Sequence, residues 1–102
     1  MYTFAIVFYL TQSCLGEITP NFRRIYLSVQ DGKIKIYFFL EKENVEDITN
    51  IQDEIIFYFS NYIDDQPELE NYEIIHEIFL GKDRDFKDGS EGDLVQIFHR
   101  KE

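Results

Sequence analysis

Between Phe22 and Glu41 apolar and polar positions alternate with a period of two, the spacing of strands with one buried face. Asp31-Gly32 interrupts the alternation at its middle. Both residue types tolerate the positive φ that the central positions of a type I′ turn require, so the stretch predicts a β-hairpin with a two-residue loop. That turn fixes the register. Gln30 faces Lys33, Val29 faces Ile34, Leu27 faces Ile36 and Ile25 faces Phe38, which gathers the aliphatic side chains on one face. The same parity sends Arg24, Ser28 and Lys35 to the other face, with Tyr26, Tyr37 and Phe39. An aromatic second face is either covered or used for contact, so these three rings form one candidate partner-binding set.

On either side of the hairpin the pattern changes from a period of two to intervals of three and four. Thr3 to Leu15 predicts a helix in which Thr3 caps, Phe4, Val7, Phe8 and Leu15 share a face, and Gly16 ends the turn. The segment is apolar on nearly every side, which suits a helix sandwiched in the core and is also compatible with a strand. Pro20 forces Thr19 out of helical geometry and delivers the chain into the hairpin. Asn44 caps a second helix with Asp47 three positions later, and Ile48, Ile51, Ile55, Phe59 and Tyr62 mark its inner face. Pro67, within the acidic stretch Asp64 to Glu70, ends this helix and makes an exposed connection.

Asn71 to Leu80 fits either period: Ile74, Ile75, Ile78 and Phe79 suit a helix, whereas Tyr72, Ile74, His76, Ile78 and Leu80 suit a strand. Its β-branched and aromatic content, with Gly81 behind it, favours the strand. A last strand is expected over Leu94 to Arg100, after a polar loop from Lys82 to Asp93. The expected fold is α+β, in the order αββαββ, with a four-stranded, mainly antiparallel sheet and two helices on one face.

Composition narrows the function. A chain of 102 residues makes one domain, 1–102, long enough to bury a core. Twenty acidic against ten basic side chains give a net charge of -10, which repels phosphate backbones and attracts basic partners. The charge is uneven. Residues 1–40 carry net +2, residues 41–80 carry twelve acidic side chains and one basic one for net -11, and residues 81–102 carry net -1. Like charges packed this densely repel one another, and a basic partner relieves the repulsion while gaining a steered on-rate. The candidate partner-binding edge is therefore Asp64, Asp65, Glu68 and Glu70 on the connection, Glu73 and Glu77 on the following strand, with Tyr72 as an anchor.

Chemistry-bearing patterns are weak by comparison. Asp83, Asp85 and Asp88-Gly89 mimic a calcium loop, but Lys87 takes the fifth position and Leu94 the twelfth, where a bidentate Glu belongs. His76 and His99 are the only histidines, and His76 sits among glutamates that repel a phosphate substrate. A phosphate-binding glycine loop, a Gly-x-Ser-x-Gly elbow and a Cys-x-x-Cys pair are all missing from the sequence. The single Cys14 lies in an apolar run where a buried thiol is ordinary. The opening apolar run lacks a preceding basic segment and falls short of the ~18 residues of a spanning helix. Neither metal, cofactor nor catalysis is expected, and the chain reads as cytoplasmic.

Several stretches together resemble a family. Leu15-Gly16-Glu17-Ile18-Thr19-Pro20-Asn21-Phe22-Arg23, Asp31-Gly32-Lys33-Ile34, Tyr37-Phe38-Phe39-Leu40-Glu41-Lys42-Glu43, Glu46-Asp47 and Phe98-His99-Arg100-Lys101-Glu102 look like small acidic bacterial immunity proteins of polymorphic-toxin and contact-dependent growth inhibition systems. The resemblance spans about residues 15 to 60 and the last few positions. It implies a non-enzymatic inhibitor, without catalytic residues, that binds the C-terminal domain of a cognate toxin. Many such toxins are nucleases, whose substrate surface is basic, and an acidic protein can occupy that surface as monomer or weak homodimer. The alternative reading is an acidic nucleic-acid mimic or adaptor that regulates a basic host protein.

Overall fold

The computed structural model describes residues 2–69, 71–81 and 94–99. Glu70, the Lys82–Asp93 loop with its calcium-loop pattern, Arg100, and the side chains of Thr3, Phe4 and His99 lie outside the described residues. The elements are α1 (Tyr2–Cys14), β1 (Phe22–Gln30), β2 (Lys33–Leu40), α2 (Val45–Asn50), a π-helical turn (Ile51–Ile55), α3 (Ile56–Asp64), a 3-10 turn (Pro67–Leu69), β3 (Glu73–Leu80) and β4 (Leu94–His99). The backbone stays right-handed helical through Asn50, Ile51, Ile55 and Ile56, so α2, the π turn and α3 form one uninterrupted rod.

The hairpin has the expected turn and register. Asp31 and Gly32 both take positive φ, 54° and 73°. Gln30 pairs with Lys33, Val29 with Ile34, Leu27 with Ile36 and Ile25 with Phe38. At the far end Phe22 pairs with Leu40 and Arg24 with Phe39, so Arg23 is the extra residue of a β-bulge. The bulge reverses the parity: it keeps Phe22 on the core side while Arg24 stays on the other. Arg23 is buried there and its Nη1 donates to the carbonyl of Gly81 at 3.4 Å.

The sheet order is β3-β2-β1-β4. β1 runs antiparallel to both β2 and β4, and β3 lies parallel to β2. Parallel neighbours need a crossover, and the helical rod supplies it. It carries the chain from Leu40 back to the turn end of the hairpin, where the Glu73 amide donates to the Gly32 carbonyl at 3.0 Å. The α+β class and the mainly antiparallel sheet thus match the expectation, and the Asn71–Leu80 segment contains a strand.

Both helical units pack on one sheet face. Ile6, Leu10 and Cys14 of α1, Ile51 and Ile55 of the π turn, and Phe59 and Ile63 of α3 meet Phe22, Ile25, Leu27, Ile34, Ile36, Phe38 and Leu40 in one cluster. Two expected faces need correction. In α1 the inward stripe is Ile6, Leu10, Ser13 and Cys14, whereas Phe8 and Leu15 point to solvent. A helix apolar all round carries no periodicity to decide between these faces, and it lies on the sheet with an open outer side instead of being sandwiched. In α3 Ile63, not Tyr62, is buried. The wide π turn takes up one extra residue, so Ile51, Ile55, Phe59 and Ile63 follow at intervals of four and the buried stripe slips past Tyr62.

Candidate functional site

Three of the stretches that carry the family resemblance, Leu15–Arg23, Tyr37–Glu43 and Glu46-Asp47, meet at one joint. Asn21 lies just before β1 and extends the sheet with its side chain: its Nδ2 donates to the Lys42 carbonyl at 2.8 Å and its Oδ1 accepts from the Lys42 amide at 3.0 Å. The same Nδ2 and the Thr19 hydroxyl both donate to the Asp47 carboxylate, each at 3.1 Å. Asp47 stands in the first turn of α2, and Asn44 caps that turn by accepting from the Asp47 amide at 3.0 Å. Buried carboxylates need such donors, and here the loop before β1 supplies them. The Thr19-Pro20-Asn21 and Glu46-Asp47 motifs therefore hold the helical rod to the hairpin.

The acidic candidates divide into two groups. Asp64 and Asp65 close α3 and Glu68 sits on the 3-10 turn, and all three are exposed. The turn that presents them is fixed, because Leu69 is buried and the amides of Gln66, Leu69 and Tyr72 donate to Ile63, Gln66 and Leu69 at 2.9–3.0 Å. Glu73 and Glu77 are also exposed, on the edge strand β3, but their face is the second face of the sheet. There Glu73 is the register partner of Lys33, and Glu77 shares a hollow with Lys33, Lys35, Tyr37 and Ile75. The two strand carboxylates thus lie among lysines, unlike Asp64, Asp65 and Glu68. Tyr72 is half-buried and packs on the core, so little of its ring faces outward.

The aromatic set on the second face is packed inward. Tyr37 and Phe39 are 4% and 1% exposed, and Tyr26 is half-buried. Phe79 of β3 stacks on Phe39 at 4.9 Å and on Tyr37 at 6.3 Å, and Tyr26 meets Phe39 edge-on at 5.9 Å. Exposed rings occur elsewhere, on the outer side of the helices. Phe8, Phe57, Tyr58 and Tyr62 all stand in solvent. Their sequence signal was an excess of apolar positions over what a single inward stripe needs.

The histidines lie on opposite edges of the sheet, His76 on β3 and His99 on β4, with β2 and β1 between them. Three inter-strand steps separate their backbones by roughly 14 Å. Among the described residues no group of three or more His, Cys, Asp or Glu side chains converges as metal ligands do. Cys14 is buried, and burial together with the nearby Glu17 charge pushes its thiol pKa up to about 12. That thiol behaves as a small hydrophobe. No helix among the described residues is long and apolar enough to cross a membrane.

The family model of the MafI2 immunity protein matches residues 4–102. The chain belongs to the MafI2 immunity protein family. No curated protein matches the sequence significantly. As a MafI2 immunity protein the chain acts against a toxin, and its partner is that toxin. The match extends over the α1 segment and the Lys82–Asp93 stretch, where the sequence by itself showed no resemblance.

Proposed function

We propose that this MafI2 immunity protein neutralises its toxin as a non-enzymatic inhibitor in the bacterial cytoplasm, by laying an acidic surface over a basic active-site surface of the toxin domain. The toxin is a nuclease in this reading, because phosphate-binding clefts are the basic surfaces that an acidic protein competes for most directly. The observation that carries it is the group Asp64, Asp65 and Glu68, exposed on a turn that Leu69 pins to the core, within a segment of net charge -11 over residues 41–80. Glu70 continues this acidic run in sequence, whereas Glu73 and Glu77 lie beside Lys33 and Lys35 on the second sheet face. Carboxylates on a fixed turn lose little freedom on docking, so their mutual repulsion is relieved without a large ordering cost.

The test is reversal of Asp64, Asp65, Glu68 and Glu70 to Lys together, since single rim charges change binding by less than about 1 kcal/mol. The expected result is slower association with the toxin encoded beside this gene, loss of most of its salt dependence, an unchanged fold and failed protection in cells. Wild-type rate and affinity in the quadruple variant would refute this surface. Nuclease activity of the purified toxin, blocked by the wild-type protein, tests the substrate class.

A further inference from the structure

The helical layer has two sides and the sheet uses one. On the outer side α1 and α3 lie next to each other, and Tyr9 stacks on Tyr62 with ring centroids 5.3 Å apart and planes inclined by 13°. Phe8 meets Tyr9 edge-on at 5.8 Å. Tyr58 stands one helical turn before Tyr62. Phe8 is 57%, Tyr58 49% and Tyr62 40% exposed, so this is a run of neighbouring rings left in water.

Its electrostatics are one-sided. Neither Tyr2–Cys14 nor Val45–Asp64 contains a Lys, Arg or His. The described Lys and Arg residues are Arg23, Arg24, Lys33, Lys35 and Lys42, all on the hairpin or just after it. Asp64 and Asp65 stand at the C-terminal end of α3, where the helix dipole already gathers negative charge, and no basic residue occupies the last turn. Intervals of four and three place Tyr58, Tyr62 and Asp65 along one stripe. The negative faces of tyrosine rings and the carboxylates beside them attract the same thing, a cation, and none of the described Lys and Arg residues lies on these helices.

We propose that this outer face is the anchor of the toxin complex: Phe8, Tyr9, Tyr58 and Tyr62 are its energetic centre, Asp64 and Asp65 its rim, and the occupant is a basic toxin surface whose arginine side chains lie flat on the tyrosine rings. The inference rests on the proposed function and adds a second component to it, since aromatic centres set the lifetime of a complex while charged rims set its rate of formation. Charge selects the occupant. A second copy of this chain would bring against this face the same two helical segments, Tyr2–Cys14 and Val45–Asp64, which contain no Lys, Arg or His for its rings and carboxylates to bind.

Surface-captured wild-type protein and the toxin encoded beside its gene, followed in real time, separate the two components. Changing Phe8, Tyr58 and Tyr62 to Ala together is expected to raise the dissociation rate about 100-fold or more and to leave association within about twofold. Tyr58→Leu with Tyr62→Leu keeps apolar bulk but loses the ring faces and the Tyr9–Tyr62 stack, and is expected to speed dissociation about tenfold in a chain that still folds cooperatively. If both variants dissociate at the wild-type rate while the four-lysine variant associates slowly, the anchor is refuted and the acidic-surface reading stands. If the wild type itself fails to bind the toxin, both fall. Sedimentation of the wild type as a dimer at micromolar concentration, abolished by the triple alanine change, would hand the face to a second copy and overturn the inference.

Discussion

Replacing Asp47 by alanine removes one carboxylate on which two segments converge. The side chain is 5% exposed and accepts from the Thr19 hydroxyl and from Asn21 Nδ2, each at 3.1 Å. Hydrogen bonds to a charged group contribute about 1.5–3 kcal/mol each. Here the lower end applies, because Thr19 and Asn21 are half-buried and water can reach them, and Asn21 Nδ2 keeps its bond to the Lys42 carbonyl. The expected loss is about 3 kcal/mol, a large share of the roughly 5–15 kcal/mol of a domain this size. Thermal denaturation followed by circular dichroism should show the melting temperature lower by about 15 °C. Thr19→Val removes one donor only and should cost about 1.5 kcal/mol. The double variant should cost about 1.5 kcal/mol less than the two single losses added, because the shared bond is lost once. Asn44→Ala, by contrast, affects the cap on the Asp47 amide, costs about 1 kcal/mol and adds independently of Thr19→Val. A loss below about 0.5 kcal/mol for Asp47→Ala, or strict additivity with Thr19→Val, would refute the joint.

Gly32→Val should cost about 1–2 kcal/mol by urea denaturation through φ alone, since a Cβ at this position meets nothing within 4 Å, and Gly32→Asn should cost less. In α3, Ile63→Ala should cost roughly 2–5 kcal/mol and Tyr62→Ala much less, and the opposite order would refute the π-turn register. Cys14 should react with a disulfide reagent at pH 8 only on unfolding. Burial, with the Glu17 charge, pushes its thiol up to about 12 from an ordinary 9.0, so stability should be unaffected below pH 9 and fall between pH 9 and 12, at up to about 1.4 kcal/mol per pH unit, and less steeply in Cys14→Ala.

The hairpin was legible because Asp31-Gly32 sets parity, and parity then orders every pair from Gln30 and Lys33 to Ile25 and Phe38. The cap at Asn44 was legible for a similar reason, since its signal is local. What the sequence hid was non-local. Nothing at Ile51–Ile55 marks a π turn, because one extra residue in a helix changes no residue type and only reassigns which side chain, Ile63 or Tyr62, meets the sheet. The burial of Tyr37 and Phe39 depends in part on Phe79, brought alongside by the parallel β2–β3 pairing, which no local pattern encodes. The lysines beside Glu73 and Glu77 arrive by that pairing too, so a run of charge in sequence became two electrostatic environments in space.

The strand order also dictates how this sheet comes together. β1 and β2 are joined by a two-residue loop and can pair on the microsecond scale, before the rest of the chain takes part. The other two pairings wait: β3 reaches β2 only once the helical crossover has been laid down, and β4, far along the chain, must return to the opposite edge at Ile25–Ser28. Until then both sides of the hairpin offer unpaired backbone groups and an uncovered aliphatic face, the circumstances in which chains pair with one another. A chain truncated before Leu94 would therefore leave one edge of β1 open and strip Val95, Ile97 and Phe98 from the core, and should aggregate at concentrations where the full chain stays dispersed.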